Sequence, residues 1–199
     1  MENGVKHRMI LIISICKEKL HELEFVKPIE DILKNNNAKF ATKHYSKISK
    51  ADLQRADKII ICGTSLKDFE YCSSWTELNK FLWIRDFEKP IFGICGGMQA
   101  VVKVFDGEIW ASGKNIDNRV EIGLTSIKFE REFLGVNGNI WGYSLHKLGV
   151  RKIRKNFEVA ATSNKGIQAI KHKTKQIYAV LFHPEVRNKE IVEKFIKLS

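Results

Sequence analysis

Apolar residues in the first half of the chain fall into short continuous runs separated by stretches with helical spacing. Met9-Ile10-Leu11-Ile12-Ile13-Ser14-Ile15 is unbroken, the pattern of a strand buried on both faces. From Glu18 to Asn35 the apolar residues Leu20, Leu23, Val26, Ile29, Ile32 and Leu33 recur at helical spacing, and Pro28 predicts a break within that helix. A second strand is expected over Ala38–His44, a short helix over Lys50–Ala56 and a third strand over Lys58–Cys62. A helix around Trp75–Ile84, a strand over Pro90–Ile94 and a helix over Gly97–Phe105 follow. Strands that alternate with helices predict an α/β fold of three layers, a mostly parallel central sheet with helices on both faces. The active site of such a sheet lies at the C-terminal ends of its strands.

After Asp106 the pattern changes to short β-like segments, Glu108–Ala111, Glu121–Phe129, Asn139–Tyr143, Glu158–Thr162, Ile167–Lys171 and Gln176–Phe182. Gly, Asn and Lys separate them. The last segment is expected to rejoin the main sheet, and a terminal helix over Lys189–Leu198 to close the fold. With no internal repeat, low-complexity tract or linker, the 199 residues are expected to form a single domain.

The chemistry concentrates at two strand ends. Gly93-Ile94-Cys95-Gly96-Gly97 places a cysteine between small residues, directly after one apolar run and directly before a helical one. A strand that turns sharply into a helix needs a strained backbone and no bulk beside it, which glycines allow. Such a nucleophile elbow would hold the thiol at the positive end of the following helix, where thiolate is favoured, and would aim the Gly96 N–H at a developing oxyanion. The alternative is a buried structural cysteine beside a tight turn.

Phe182-His183-Pro184-Glu185 follows the last apolar run. A cysteine nucleophile needs a base, and the base needs an acceptor on its other ring nitrogen to fix the tautomer. His183 and Glu185 supply both, and an extended backbone would aim the two side chains, two residues apart, the same way.

On these residues the chain resembles the class I (triad-type) glutamine amidotransferases. Their nucleophile motif Gly-x-Cys-x-Gly-x-Gln is matched by Gly93, Cys95, Gly97 and Gln99, and their base motif by His183-Pro184-Glu185. Within the family, the segments Phe157–Asn164 and His183-Pro184-Glu185-Val186-Arg187 look most like the amidotransferase subunits of GMP synthetases. The resemblance implies a flavodoxin-like fold, glutamine as substrate, a Cys95–His183–Glu185 triad and a γ-glutamyl thioester, with no metal or organic cofactor. It also implies a separate synthetase partner that uses the ammonia, of the GMP-synthetase kind, and a substrate-holding role for Gln99 and His146. Three segments depart from the family pattern. Cys62-Gly63-Thr64 stands where Gly-Gly-Pro is usual, so the second oxyanion amide falls to Gly63 or Thr64. Leu145-His146-Lys147-Leu148 stands for Ser-His-x-Asp, and Leu181 for a glutamine.

Composition narrows the setting. The formal net charge of +11, from 34 Lys and Arg against 23 Asp and Glu, permits nucleic-acid binding. The densest clusters, Arg151–Lys155 and Lys171–Lys175, are nevertheless expected in loops or hairpin turns and lack interleaved aromatics, so no nucleic-acid partner is expected. No apolar run has the length of a membrane span and no signal peptide is read at the start, so a cytoplasmic, membrane-free protein is expected. Cys16, Cys62, Cys72 and Cys95 lack paired metal-ligand spacing, and free thiols are expected. Two other readings stay open: a stand-alone hydrolase of γ-glutamyl peptides or amides, and a non-enzymatic regulatory protein on the same fold.

Overall fold

In the computed structural model, which describes residues 9–109 and 120–199, eleven strands form one continuous sheet. Strand β1 (Met9–Ser14) pairs in parallel with β2 (Lys39–His44) on one side and β3 (Lys58–Ile61) on the other. The chain reverses its direction of growth across β1, the topological switch at which open α/β sheets place their sites. Between β1 and β2 lie a 3-10 turn (Lys19–His21), α1 (Glu22–Phe25) and α2 (Lys27–Asn35). The break that Pro28 predicts falls at Val26, which ends α1 and caps α2. Proline is thus in the first turn, where its missing N–H has no intrahelical partner to lose.

Helix α3 (Lys50–Arg55) connects β2 to β3 and starts with a capping box, Ser49 and Asp52 bonding each other's backbone N–H. Beyond β3 come α4 (Glu70–Ser73), α5 (Trp75–Asn79) and a 3-10 turn (Leu82–Arg85). The expected helix over Trp75–Ile84 therefore stops early, and α4 falls outside every element the pattern predicts. Strand β4 (Ile91–Ile94) is parallel to β3 and leads into α6 (Gly96–Val104).

The rest of the sheet is built from β5 (Glu108–Ile109), β6 (Glu121–Phe133), β7 (Val136–His146), β8 (Val150–Lys152), β9 (Phe157–Ser163), β10 (Gly166–His172) and β11 (Ile177–Val180), before α7 (Lys189–Ile196). Part of the predicted segment Glu108–Ala111 lies outside the described residues. The two segments expected over Glu121–Phe129 and Asn139–Tyr143 are the halves of one long hairpin, β6–β7. The main path runs β2-β1-β3-β4-β11-β10-β9-β6-β7, parallel from β2 to β11 and antiparallel beyond it. Thus β11 does rejoin the parallel sheet, next to β4.

Period-two alternation divides the core between the two faces. On one face Ile10, Ile12, Ile60 and Phe92 pack with Phe25, Ile29 and Leu33 of α1 and α2 and with Ile191, Val192 and Phe195 of α7. On the other face Leu11, Ile13, Ile59, Ile61 and Ile91 pack with Met98, Val101 and Val102 of α6 and Leu78 of α5. Each fully buried aliphatic side chain contributes about 1.5–3 kcal/mol, so helices cover both faces of the parallel half. Among the described residues no helix is long and apolar enough to cross a membrane.

Candidate active site

Directly after strand β4, Cys95 caps α6 with its backbone at φ 49°, ψ −105°. A side-chain-bearing residue is strained at a positive φ, and such outliers persist only where their surroundings enforce them. Here the Cys95 N–H donates to the Val180 carbonyl at 2.8 Å and its carbonyl accepts from the Gln99 N–H at 3.1 Å. Absent side chains make the close approach possible: a Cβ on Gly93 would lie 2.8 Å from the Gly97 carbonyl, and one on Gly97 only 2.3 Å from the Ile61 carbonyl oxygen. The first-turn amides of α6, from Gly96 onward, have no intrahelical acceptor and so give this end of the helix its positive potential beside the thiol.

His183 lies beyond the end of β11, where its N–H donates to the Tyr143 carbonyl of β7 at 2.7 Å. Its Nδ1 is 2.7 Å from Glu185 Oε1, and both residues are 1% exposed. The pairing is achieved by a turn rather than by the extended backbone expected from the two-residue spacing. Val186 and Arg187 N–H both donate to the His183 carbonyl, at 3.2 and 3.3 Å, because Pro184 fixes φ for a turn and Glu185 then folds back under the ring. Phe25 of α1 packs on the imidazole with ring centroids 5.4 Å apart. Burial alone would lower the His183 pKa, but the neighbouring Glu185 carboxylate and Cys95 sulfur outweigh it and hold the ring well above the ordinary histidine range. Among the described residues, His183 Nε2 has no hydrogen-bond partner, which leaves it able to exchange a proton.

The third wall is the end of β3. A Cβ on Gly63 would fall 2.6 Å from His183 Cε1 and 3.2 Å from Cys95 Cβ, so a glycine is required for the backbone to reach both. Next to it, Thr64 turns its hydroxyl away to Asp68 at 2.6 Å. A small cleft runs from Thr64 past Cys95 and Gly96 to Gln99, covered by Leu145–Leu148. The Cys95 sulfur is 3.7 Å from the Leu145 carbonyl.

Gln99 and His146, read from the sequence as substrate-holding, both line this cleft but make protein contacts of their own. The Gln99 carbonyl accepts from the Tyr71 hydroxyl, and its Nε2 donates to the Leu148 carbonyl at 2.9 Å, which ties α6 to the covering segment. His146 Nε2 is 3.0 Å from Glu121 Oε2. Tyr71 and Asp68 are not legible in the sequence as site residues, since Tyr71 meets Gln99, and Asp68 meets Lys17 and His21, only after the chain has folded back.

The remaining cysteines lie outside the triad. Burial pushes Cys16 up to about 11, and raises Cys62 and Cys72 as well. The basic run Arg151–Lys155, expected in a loop or hairpin turn, is partly strand: Arg151 and Lys152 belong to β8, which joins the edge of β10 and pairs with β5. Apolar Val150 anchors that strand while both cations face outward toward Glu108, at 3.8 and 3.9 Å.

The sequence model of the family described as Glutamine amidotransferase class-I matches residues 21–199. The glutamine-hydrolysing GMP synthase subunit of Methanosphaera stadtmanae is 38% identical over 120 residues, which cover 58% of this chain and 63% of that protein. The corresponding subunit of Methanobrevibacter smithii is 35% identical over 111 residues, covering 55% and 57%. The aligned region thus spans about three-fifths of the length of these curated relatives. A crystal structure assigned to a GMP synthase subunit of Thermoplasma acidophilum superposes with a TM-score of 0.79 over 96% of this chain and 92% of that one, at 22% identity, a likeness of fold. Nearly the whole chain, elbow and His-Pro-Glu turn included, fits one pattern: it belongs to the class-I glutamine amidotransferase family.

Proposed function

We propose that this chain hydrolyses glutamine to glutamate and ammonia through a thioester on Cys95, and passes the ammonia to a separate synthetase of the GMP-synthase kind. The observation that carries the reading is a buried, backbone-strained Cys95 next to a histidine whose outer nitrogen is held by Glu185 at 2.7 Å. In this reading the Cys95 sulfur, its proton already passed to His183, attacks the glutamine amide carbon. The tetrahedral oxyanion is held by the Gly96 N–H and by the amide of Gly63 or Thr64. Collapse breaks the C–N bond, and His183 returns its proton to the leaving ammonia. Water then adds to the thioester, gives its proton to His183, and glutamate leaves as the thiol re-forms.

Glu185 keeps the imidazole in the tautomer with Nε2 toward the reaction and stabilises the imidazolium. Gln99 and His146 contribute to substrate binding by fixing Leu145–Leu148 over the cleft. The names of the relatives in Methanosphaera stadtmanae and Methanobrevibacter smithii support glutamine as substrate and a synthetase as partner. A free thiol nucleophile suits a reducing compartment such as the cytoplasm.

The test is ammonia release from glutamine by the isolated chain, with and without an ATP pyrophosphatase from the same organism and its nucleotide substrates. A slow basal rate raised by at least about tenfold is expected, a change within reach of one reoriented hydrogen bond. A diazo-ketone glutamine analogue should label Cys95 and leave Cys16, Cys62 and Cys72 untouched. A chain that is fast alone, indifferent to the synthetase and more active on γ-glutamyl peptides would instead be a stand-alone hydrolase.

A further inference from the structure

The loop after β3 reads Cys62-Gly63-Thr64-Ser65, with no proline to restrict its backbone, and side-chain bonds hold it. One carboxylate oxygen, Asp68 Oδ2, collects three donors: the Thr64 hydroxyl at 2.6 Å, the Lys17 N–H at 3.1 Å and His21 Nδ1 at 2.8 Å. The Asp68 N–H also donates to the Ser65 carbonyl at 3.1 Å, closing a turn that brings its side chain back over Thr64. Thr64 and Asp68 are 4% and 2% exposed, so their bond is made out of water. On the other flank the Cys16 thiol contacts the Gly63 carbonyl at 3.8 Å. The segment that touches His183 and Cys95 is therefore strapped to the loop that follows β1, through Lys17 and His21.

We propose that Asp68 is a positioning residue for the reaction, clamping Thr64 so that the Gly63–Thr64 backbone keeps the orientation an oxyanion amide needs. The proposal rests on the glutaminase reading given above. Three donors converging on one oxygen favour an ionised acceptor. Burial pulls the Asp68 carboxyl up, but Thr64, His21 and the Lys17 amide more than offset it and keep the group below the ordinary carboxylate range. A hydroxyl-to-carboxylate bond has a directional preference that a packed apolar side chain lacks. Removal of the bond frees rotation of the Thr64 peptide without emptying the core. An amide that swings by about an ångström loses its hold on the transition state while the substrate still binds, so the loss should fall on kcat rather than KM.

The experiment compares Thr64→Val, Thr64→Ser, Asp68→Asn and the Thr64→Val/Asp68→Asn double variant in the full chain. Two readouts are used: hydrogen exchange of the peptide spanning Ile61–Phe69, and kcat and KM for glutamine, measured with the synthetase if the isolated chain is too slow. Expected are faster exchange and a kcat lower by about 10–100-fold in Thr64→Val and Asp68→Asn, with KM within about threefold. The double variant should be no worse than the poorer single one, since Thr64→Val already removes the bond that Asp68→Asn weakens. Thr64→Ser, which returns the hydroxyl, should recover most of the loss in both readouts. Unchanged exchange in Thr64→Val overturns the clamp. Faster exchange with unchanged kcat, or an equal loss in Thr64→Ser, overturns its role in the reaction. A wild-type chain that cleaves no glutamine under either condition overturns the functional reading itself, and exchange alone then decides whether the clamp exists.

Discussion

Among the described residues two histidines are buried against a glutamate, in different surroundings. His183 meets Glu185 at 2.7 Å, and His146 meets Glu121 at 3.0 Å. The first pair is local, made across one turn. The second is a cross-strand pair of the β6–β7 hairpin, where Glu121 and His146 lie opposite each other. What separates them is how many other donors each carboxylate serves. Glu121 also accepts from Gln168 Nε2 at 2.6 Å and from the Ser163 hydroxyl at 3.0 Å, so it fastens β6 to β9 and β10. His146 approaches it outside good hydrogen-bonding alignment. Glu185 serves His183 alone among the described residues, and the free Nε2 of that ring is next to a thiol. In the proposed reaction His183 is the base because its second nitrogen is left available beside the thiol, and a carboxylate neighbour alone is not sufficient.

The sharpest way to break this comparison is to remove the rings and carboxylates in turn. His183→Ala should lower kcat for glutamine hydrolysis by about 10³–10⁴-fold, the usual worth of a general base, with the fold retained by circular dichroism. Glu185→Gln should cost less, on the order of 10²-fold, since an amide oxygen can still accept from Nδ1 while stabilising imidazolium poorly. Glu121→Gln should act mainly on stability. Loss of charge-assisted bonds to Gln168 and Ser163 in a buried site is worth about 1–3 kcal/mol, which lowers Tm by about 2–12 °C. Its kcat should stay within about tenfold of wild type. Should Glu121→Gln abolish turnover without altering Tm, the division of labour between the two pairs would be wrong.

The difference between the pairs also explains what is legible before folding. The Cys95 elbow can be read because a strand-to-helix turn needs glycines within a few residues, and the fold indeed puts Cys95 at φ 49°. His183 and Glu185 are readable because they are two apart, although the turn that joins them is not. Glu121 sits at the start of a polar alternating strand, and nothing local tells that the hairpin register will set it opposite His146. The same holds for Asp68, whose partners Lys17 and His21 are about fifty residues away in sequence, and for Tyr71 with Gln99. The inner parallel strands β1, β3, β4 and β11 are legible from their apolar runs, because both faces are covered. Strand β8 is not, because two of its three residues are cations at an exposed edge. Polar networks specify this site as much as apolar periodicity specifies the sheet, and only the second has a sequence period.

The smallest expected effects come from pH, where the two pairs should respond on opposite sides of neutrality. A histidine whose pKa is raised by folding adds stability that is fully present below its unfolded value of about 6.5 and is lost as pH climbs through the folded value. His183 is such a group, since Glu185 and Cys95 overcome the burial that would otherwise lower it. Glu121 is the reverse. Burial raises its pKa, but His146, Gln168 and Ser163 together hold it below the ordinary carboxylate value. Its contribution is present above the unfolded value of about 4.3 and is lost as pH falls through the folded one. The Tm gap between wild type and Glu185→Gln should therefore be widest near pH 6 and narrow toward pH 10, whereas the gap to Glu121→Gln should hold across that range and close only in acid. Melting curves for the three proteins from pH 3 to pH 10 check both signs. A Glu185→Gln gap that widens with rising pH would mean that the buried ring is neutral in the folded protein, and that Glu185 acts on it through orientation alone.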